Sequence, residues 1–256
     1  MRRSAWNKGL VLAASLVVLA FLYFRKGVAE VMAQDNQYLR NLTITSRSVA
    51  ADFSPDGDLS KDVWRLAPRV KFDRDLTGRT YFPDSETQVA SLWTPAHVYF
   101  AYWCSYRVLN VYQGDDPAKE KWELWNRDVA EAFINPHPER FRHYYEFEVA
   151  PNNLWIDLEI NLTSPPSYDA AWDSHFEHAT KIDAEHRLWM MEMRIPVKPM
   201  GVNAIQPGDK WRLNFYRCDG LGDDTQRRYL SWSPVPLANG DFHQPASFGI
   251  IEFVGR

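Results

Sequence analysis

Two runs, Tyr144-Tyr145-Glu146-Phe147-Glu148-Val149 and Trp155-Ile156-Asp157-Leu158-Glu159-Ile160, separated by the turn pair Asn152-Asn153, decide the fold class. Successive side chains of a strand point to opposite faces. Tyr145, Phe147 and Val149 therefore share one face and Tyr144, Glu146 and Glu148 the other, while Ile156, Leu158 and Ile160 oppose Trp155, Asp157 and Glu159. The same period of two returns where Trp189, Met191, Met193 and Ile195 alternate with Leu188, Met190, Glu192 and Arg194. Val98 to Cys104 is apolar on both faces, as a strand covered on both sides would be. Turn pairs at Asp56-Gly57, Thr94-Pro95, Pro207-Gly208, Asp219-Gly220 and Asn239-Gly240 punctuate the rest. Long helical periodicity is absent, and only a short helical turn is predicted around Pro117 to Trp125, with Asp116 as its cap. An antiparallel β-sandwich follows.

Outward from that stretch, the chain reads as one domain behind a targeting segment. Arg2, Arg3 and Lys8 precede the 16-residue apolar run Gly9 to Phe24, and the small residues Ala29 and Ala33 stand where a signal peptidase could cut. The run is slightly short for a membrane span, which needs roughly 17 to 25 residues. Residues 1–33 are expected to be a signal peptide, and Arg25-Lys26 directly after the run makes an uncleaved signal anchor the alternative. Either places the folded part in an exported compartment, periplasmic or extracellular. Residues 34–48 are polar and aperiodic and read as a tether, and residues 49–256 read as a single all-β sandwich of immunoglobulin-like or jelly-roll type.

Composition narrows function. A net charge of -4 and a pI near 6.0 offer no basic stripe to displace counterions from a phosphate backbone, which excludes nucleic acid as a partner. Aromatic residues make up 14% of the chain, more than a core of this size consumes, so some rings are expected on a surface that uses them. Cys104 and Cys218 could form a bridge in an oxidising compartment or remain buried thiols, and sequence leaves the two open.

A flat ring beside fixed hydrogen-bonding groups is what a sugar needs: weakly polar C–H faces for the ring, hydroxyls for carboxylates and amides. The string Trp125-x-x-Asp128-x-x-Glu131-x-Phe133 supplies both. Together with Pro55-Asp56-Gly57 and Trp64, Glu192-Met193-Arg194-Ile195-Pro196, Ser231-Trp232-Ser233-Pro234 and Phe242 to Gly249, it resembles a family 9 carbohydrate-binding module, related to DOMON-type sugar and haem domains. The likeness spans about Asp52 to Phe253. It implies non-catalytic binding of a sugar between two aromatic platforms, in support of polysaccharide degradation or uptake beside a separate glycoside hydrolase. On that resemblance Trp125 is the first platform and Glu131 the carboxylate that grips hydroxyls. Phe242 stands where the characterised module has a Trp, a smaller ring covering less of a pyranose face. His243 adds a hydrogen-bonding group, and Glu148 stands where the module has a basic residue. Arg127 is the expected ion-pair partner of Glu131, unless sugar hydroxyls and water fill that role. No cofactor is certain; calcium, which the characterised module binds, has candidate loops in Asp115-Asp116 and Asp223-Asp224.

Two other classes compete. Glu146 and Glu148 on one strand face have Cα atoms roughly 6.6 to 6.8 Å apart, overlapping the carboxylate spacing of inverting glycosidases; the plainer reading is a wet sheet face. Met190, Met191 and Met193 with His186 could ligate haem in a DOMON-type electron-transfer module, against ordinary core packing of methionine. His175 and His178 flank Glu177 in what reads as an irregular surface loop.

Overall fold

The computed structural model describes residues 42–221, 226–235 and 241–255. Residues 1–41, which include the expected targeting segment, lie outside them; among the described residues no helix is long and apolar enough to cross a membrane. The strands are β1 (Thr43–Ser48), β2 (Arg69–Phe72), β3 (Thr87–Trp93), β4 (His97–Ser105), β5 (Val129–Asn135), β6 (His143–Val149), β7 (Trp155–Asn161), β8 (Tyr168–Asp169), β9 (Glu177–Asp183), β10 (Leu188–Pro196), β11 (Lys210–Asp219), β12 (Arg228–Ser231) and β13 (Gly249–Val254). A single helical turn, α1 (Asp62–Arg65), follows β1. The nearly all-β reading therefore holds, and the alternating runs 144–149 and 155–160 are β6 and β7, paired antiparallel with Tyr144 opposite Ile160 and Val149 opposite Trp155.

The architecture departs from two separate antiparallel sheets. All strands belong to one continuous sheet in the order β8-β7-β6-β5-β11-β13-β1-β3-β4-β10-β9, with β12 beside β11 and β2 beside β3. It curls over itself, so that Phe100 of β4 meets Phe215 of β11 at 5.3 Å between ring centroids and the Tyr102 hydroxyl donates to the Glu131 carbonyl at 3.1 Å. The inward-facing residues of both halves, including Phe147, Trp189, Met191, Met193 and Leu213, form one core, which is why the packing is sandwich-like. β4 is buried along most of its length, as its doubly apolar sequence predicts.

The join between the halves corrects the tether reading. Residues 43–48, placed in the linker by their polarity, form β1, which pairs parallel with both β13 and β3. The sequence Thr-Ile-Thr-Ser-Arg-Ser hides this because only Ile44 is apolar. Ser46 is nonetheless fully buried, and it is tolerated there because the Ser91 hydroxyl donates to its oxygen at 2.8 Å. The helical turn expected at Pro117 to Trp125 is also absent as such: Asp116 accepts the Ala118 N–H in a turn, and only Leu124–Asn126 winds, as one turn of 3-10 helix.

Several of the sequence segments that suggested the resemblance turn out to hold one another. Glu192 is 1% exposed and accepts from the backbone N–H of Asp56 (2.8 Å) and Gly57 (2.9 Å), from Trp64 Nε1 (2.7 Å) and from Lys61 Nζ (2.7 Å). Gly57 is required there: its φ is +74°, and a Cβ would come within 2.9 Å of the Thr180 backbone. Likewise the Ser233 hydroxyl donates to the Ser247 carbonyl, and Gly249 lies so close under Trp232 that a Cβ would sit 2.6 Å from the indole. Cys104 belongs to the inner core and Cys218 to a second cluster on the outer face; both are buried and unbridged.

Candidate functional site

The outer face of β5, β6 and β7 carries the cleft. Period two sends Glu131 and Phe133 outward from β5, Glu146 and Glu148 from β6, and Leu158 and Ile160 from β7. Register places Glu131 opposite Glu148, with Tyr216 of β11 on its other side, and Phe133 opposite Glu146. Above this floor stand Trp122 and Trp125 from the 121–126 segment, Tyr168 of β8, Tyr229 of β12 and Phe242-His243 from the segment before β13, enclosing about 470 Å³. Trp122 packs edge-on against Trp125 at 5.1 Å and meets Tyr168 at 5.3 Å.

Trp125, Glu131, Phe242 and His243 are thus brought together, and Arg127 is not. Arg127 donates Nη1 to the Asn126 carbonyl, and its guanidinium lies 4.6 Å from the Tyr112 ring, so the expected Glu131–Arg127 ion pair is replaced by other contacts. Trp125 is half-buried. Phe242 is stacked on Tyr216 at 4.4 Å with an interplanar angle of 7°, which fixes the ring and covers one of its faces. The His243 Nδ1 is 2.7 Å from the Tyr144 hydroxyl. Burial, then the Glu146 charge, pushes the Tyr144 phenol far above its ordinary value, so it keeps its proton. His243 Nε2 faces Glu146 Oε2, 4.0 Å away.

The floor is the feature sequence reasoning missed. Glu146 and Glu148 were read as a wet face, yet they are 3% and 1% exposed, and Glu131 is 1% exposed. Oxygens of all three lie within 4.8 Å of one another. Burial first, then the charge of Glu146, drives the Glu131 carboxyl well above the usual range, partly opposed by the Cys218 thiol, which donates to Glu131 Oε1 at 3.5 Å, and by Arg227. Burial, then Glu131 and Glu146, does the same to Glu148. Arg227 also went unnoticed: its Nη2 donates to the carbonyls of Trp125 and Arg127, both at 2.7 Å, and so clamps the segment that presents Trp125. Asp128 of the same string is structural, accepting the N–H of Gly220 at 2.8 Å and of Asn110 at 3.1 Å. Burial and the Asp219 charge push it up to about 6.

A pH dependence follows from the floor. A carboxyl with a raised folded-state pKa takes up protons on folding, so its contribution to stability is complete below the unfolded value of about 4.3 and is lost as pH rises through the folded value. Glu131→Gln keeps the shape and removes one of the crowded charges. The variant is expected to melt above the wild type at about pH 8 and to lose that advantage near pH 4, with about 1.4 kcal/mol for each pKa unit of elevation. A variant less stable than wild type at pH 8 contradicts the crowding.

The haem and histidine readings find no convergent site among the described residues. Met191 and Met193 are in the inner core, Met190 packs on the opposite face, and His186 is exposed and bonded to Asp183. His178 is not in a loop but on β9, where its Nδ1 lies 3.1 Å from Asn153 Oδ1 and burial lowers its pKa to about 4. His175 is exposed beside Asp173. Of the calcium candidates, Asp223-Asp224 lies outside the described residues, and Asp115 is occupied by Lys121 Nζ at 2.9 Å. A different trio, Glu120, Asp157 and Asp173, brings oxygens within 4.8 Å of one another, with Asp157 Oδ1 buried and lacking a hydrogen-bond partner. Burial and Asp157 push Glu120 up to about 7.

A curled β-sheet that carries an aromatic-walled cleft over buried hydrogen-bonding groups defines a ligand-binding domain of the β-sandwich type. The chain belongs to the carbohydrate family 9 binding domain-like family, whose family model matches residues 56–256. It is similar to an extracellular protein of Arthroderma benhamiae, at 30% identity over 151 residues, covering 55% of this chain and 67% of that one. Among solved structures it is similar to a candidate carbohydrate-binding protein from Bacteroides uniformis (22% identity, TM-score 0.63, 82% of this chain and 98% of that one). It also resembles a family 9 carbohydrate-binding module from Caldicellulosiruptor kristjanssonii solved with cellotriose (17% identity, TM-score 0.60, 84% and 95%). At these identities the solved structures establish the shared fold.

Proposed function

We propose that the protein binds carbohydrate in the cleft over β5–β7 without chemical conversion, as an exported domain. The observation that carries this reading is the convergence of half-buried rings, Trp125 and Phe242 above all, with carboxylates and His243 around a space of about 470 Å³, enough for a sugar unit or two. Trp125 and Phe242 serve as stacking surfaces, Glu131 as hydroxyl acceptor and His243 as a hydrogen-bonding group through Nε2; Arg127 acts through the Trp125 segment and does not touch the ligand. Membership of the family supports the class of ligand, and the extracellular relative supports export. Stacking and a few hydrogen bonds to well-hydrated hydroxyls give modest affinity, and a glycoside hydrolase beside this protein would supply hydrolysis.

Glycan-array retention of the full chain, paired with a reducing-sugar assay on the retained polysaccharide, tests the reading. Binding with no sugar released is expected. Release of sugar that disappears in Glu146→Gln would make the cleft a hydrolase site instead.

Where calcium is bound, Glu120, Asp157 and Asp173 would hold it, and it would neutralise their charges and tie β7 to the segment before β9. Adding calcium to chelator-treated protein is then expected to raise the melting temperature, by the equivalent of about 2.7 kcal/mol at a hundredfold excess over the dissociation constant. An unchanged midpoint rejects the site.

A further inference from the structure

The floor of the cleft is ill-suited to a neutral ligand alone. Glu131, Glu146 and Glu148 are each more than nine-tenths buried, and Oε2 of both Glu146 and Glu148 has no hydrogen-bond partner. Like charges placed directly across a strand pair, as Glu131 and Glu148 are, work against the sheet. Beside them, the Arg227 guanidinium donates to two carbonyls, and His243 Nε2 stays 4.0 Å from Glu146 Oε2.

We infer that the sugar held in this cleft carries an ammonium group, which Glu131, Glu146 and Glu148 receive while the sugar ring lies against Trp125 and its neighbours. This deepens the sugar-binding reading and rests on it. An ammonium offers three N–H donors and no acceptor. With charge-assisted bonds of about 2.8 Å in tetrahedral directions, its acceptors stand about 4.6 Å apart, and the three carboxylates place oxygens within 4.8 Å of one another. The aromatic walls suit the same group, since a cation is attracted to ring faces. Burial favours the protonated forms of Glu131 and Glu148 in the unliganded protein; an ammonium among the three carboxyls would favour their charged forms, and neutral hydroxyls would not. A bare divalent cation fits the oxygens and makes no use of Trp122, Trp125, Tyr168 or Phe242.

Calorimetric titration of the full chain at about pH 6, where an amine is charged, with fully deacetylated chitobiose, N,N′-diacetylchitobiose and cellobiose, each with calcium and with chelator, tests the inference. The deacetylated sugar is expected to bind at least about tenfold more tightly than either neutral disaccharide. Glu146→Gln and Glu148→Gln, with folding checked by circular dichroism, are each expected to erase that margin while changing affinity for the neutral sugars less. Equal affinity for all three, a preference for cellobiose, or a margin that survives in both variants overturns the charge assignment and leaves sugar binding intact. Neutral sugars that bind only with calcium, with the amino sugar excluded, give the carboxylates to a metal and overturn it too. No binding of these or of any arrayed glycan overturns both readings.

Discussion

Replacing Glu192 with alanine is expected to lower the unfolding midpoint more than any single change in the cleft, with a loss of about 3–5 kcal/mol, or roughly 6–20 °C for a domain of this size. Glu192 is almost wholly buried and accepts from four groups, of which the Gly57 N–H and the Trp64 indole are buried and the Asp56 N–H and the Lys61 ammonium partly so. Removing the acceptor leaves each of these donors without this partner; Lys61 keeps Asp56 at 2.8 Å, and that pair is exposed enough to contribute little. Trp64 itself is 1% exposed and packs edge-on to Phe53 at 5.7 Å, so loosening it frees the cover of the whole outer face of β3, β4 and β10. Glutamine in place of alanine keeps an oxygen for the turn and should restore part of the loss. Calorimetric unfolding measures both, and an alanine variant within about 1 kcal/mol of wild type would remove this hub from the account.

Trp125→Ala is expected to have the opposite profile, a large loss of binding with a small loss of stability. The ring is half-buried, packs on the edge of the outer-face cluster and meets the exposed Trp122, so its removal trims the rim of that cluster. The backbone clamp survives, because Arg227 holds the Trp125 carbonyl and not its side chain. A central aromatic anchor typically contributes about 2 kcal/mol or more to binding, so retention on the arrayed glycan should fall at least about thirtyfold. Affinity electrophoresis and thermal unfolding of the same preparation separate the two effects. A variant that melts as low as Glu192→Ala while binding as before would assign Trp125 to the core.

Much of the fold was legible because β6, β7 and β10 bury one face and show it as strict alternation, and because β4 buries both. β1 was not, since its burial relies on a Ser46–Ser91 hydroxyl pair and on parallel neighbours about 200 and 45 residues away in sequence, which no local pattern records. For the site, the Trp125-to-Phe133 string pointed to the right wall of the right cleft, and Phe242 and His243 to another part of it. Arg127 misled because, just past the Leu124–Asn126 turn, its guanidinium bonds the Asn126 carbonyl and lies over Tyr112. Glu146 and Glu148 misled in a different way. Alternating carboxylates ordinarily mark a solvated face, and only the pairing of β6 with β5, together with the cover from the Trp122, Tyr168 and Phe242 segments, turns that face into the floor of a cleft. Arg227 sits about 100 residues from the loop it clamps, and nothing near it in sequence announces the role.

The central claim is that sugar lies in the cleft between the 121–126 segment and the Phe242-His243 segment. The most direct measurement follows the indole N–H resonances of the tryptophans by NMR while the glycan retained on the array is titrated into the protein. The Trp122 and Trp125 signals are expected to move together and saturably, with those of Trp64 and Trp189, buried on other faces, unmoved. Saturable shifts elsewhere with Trp125 unchanged would contradict the account.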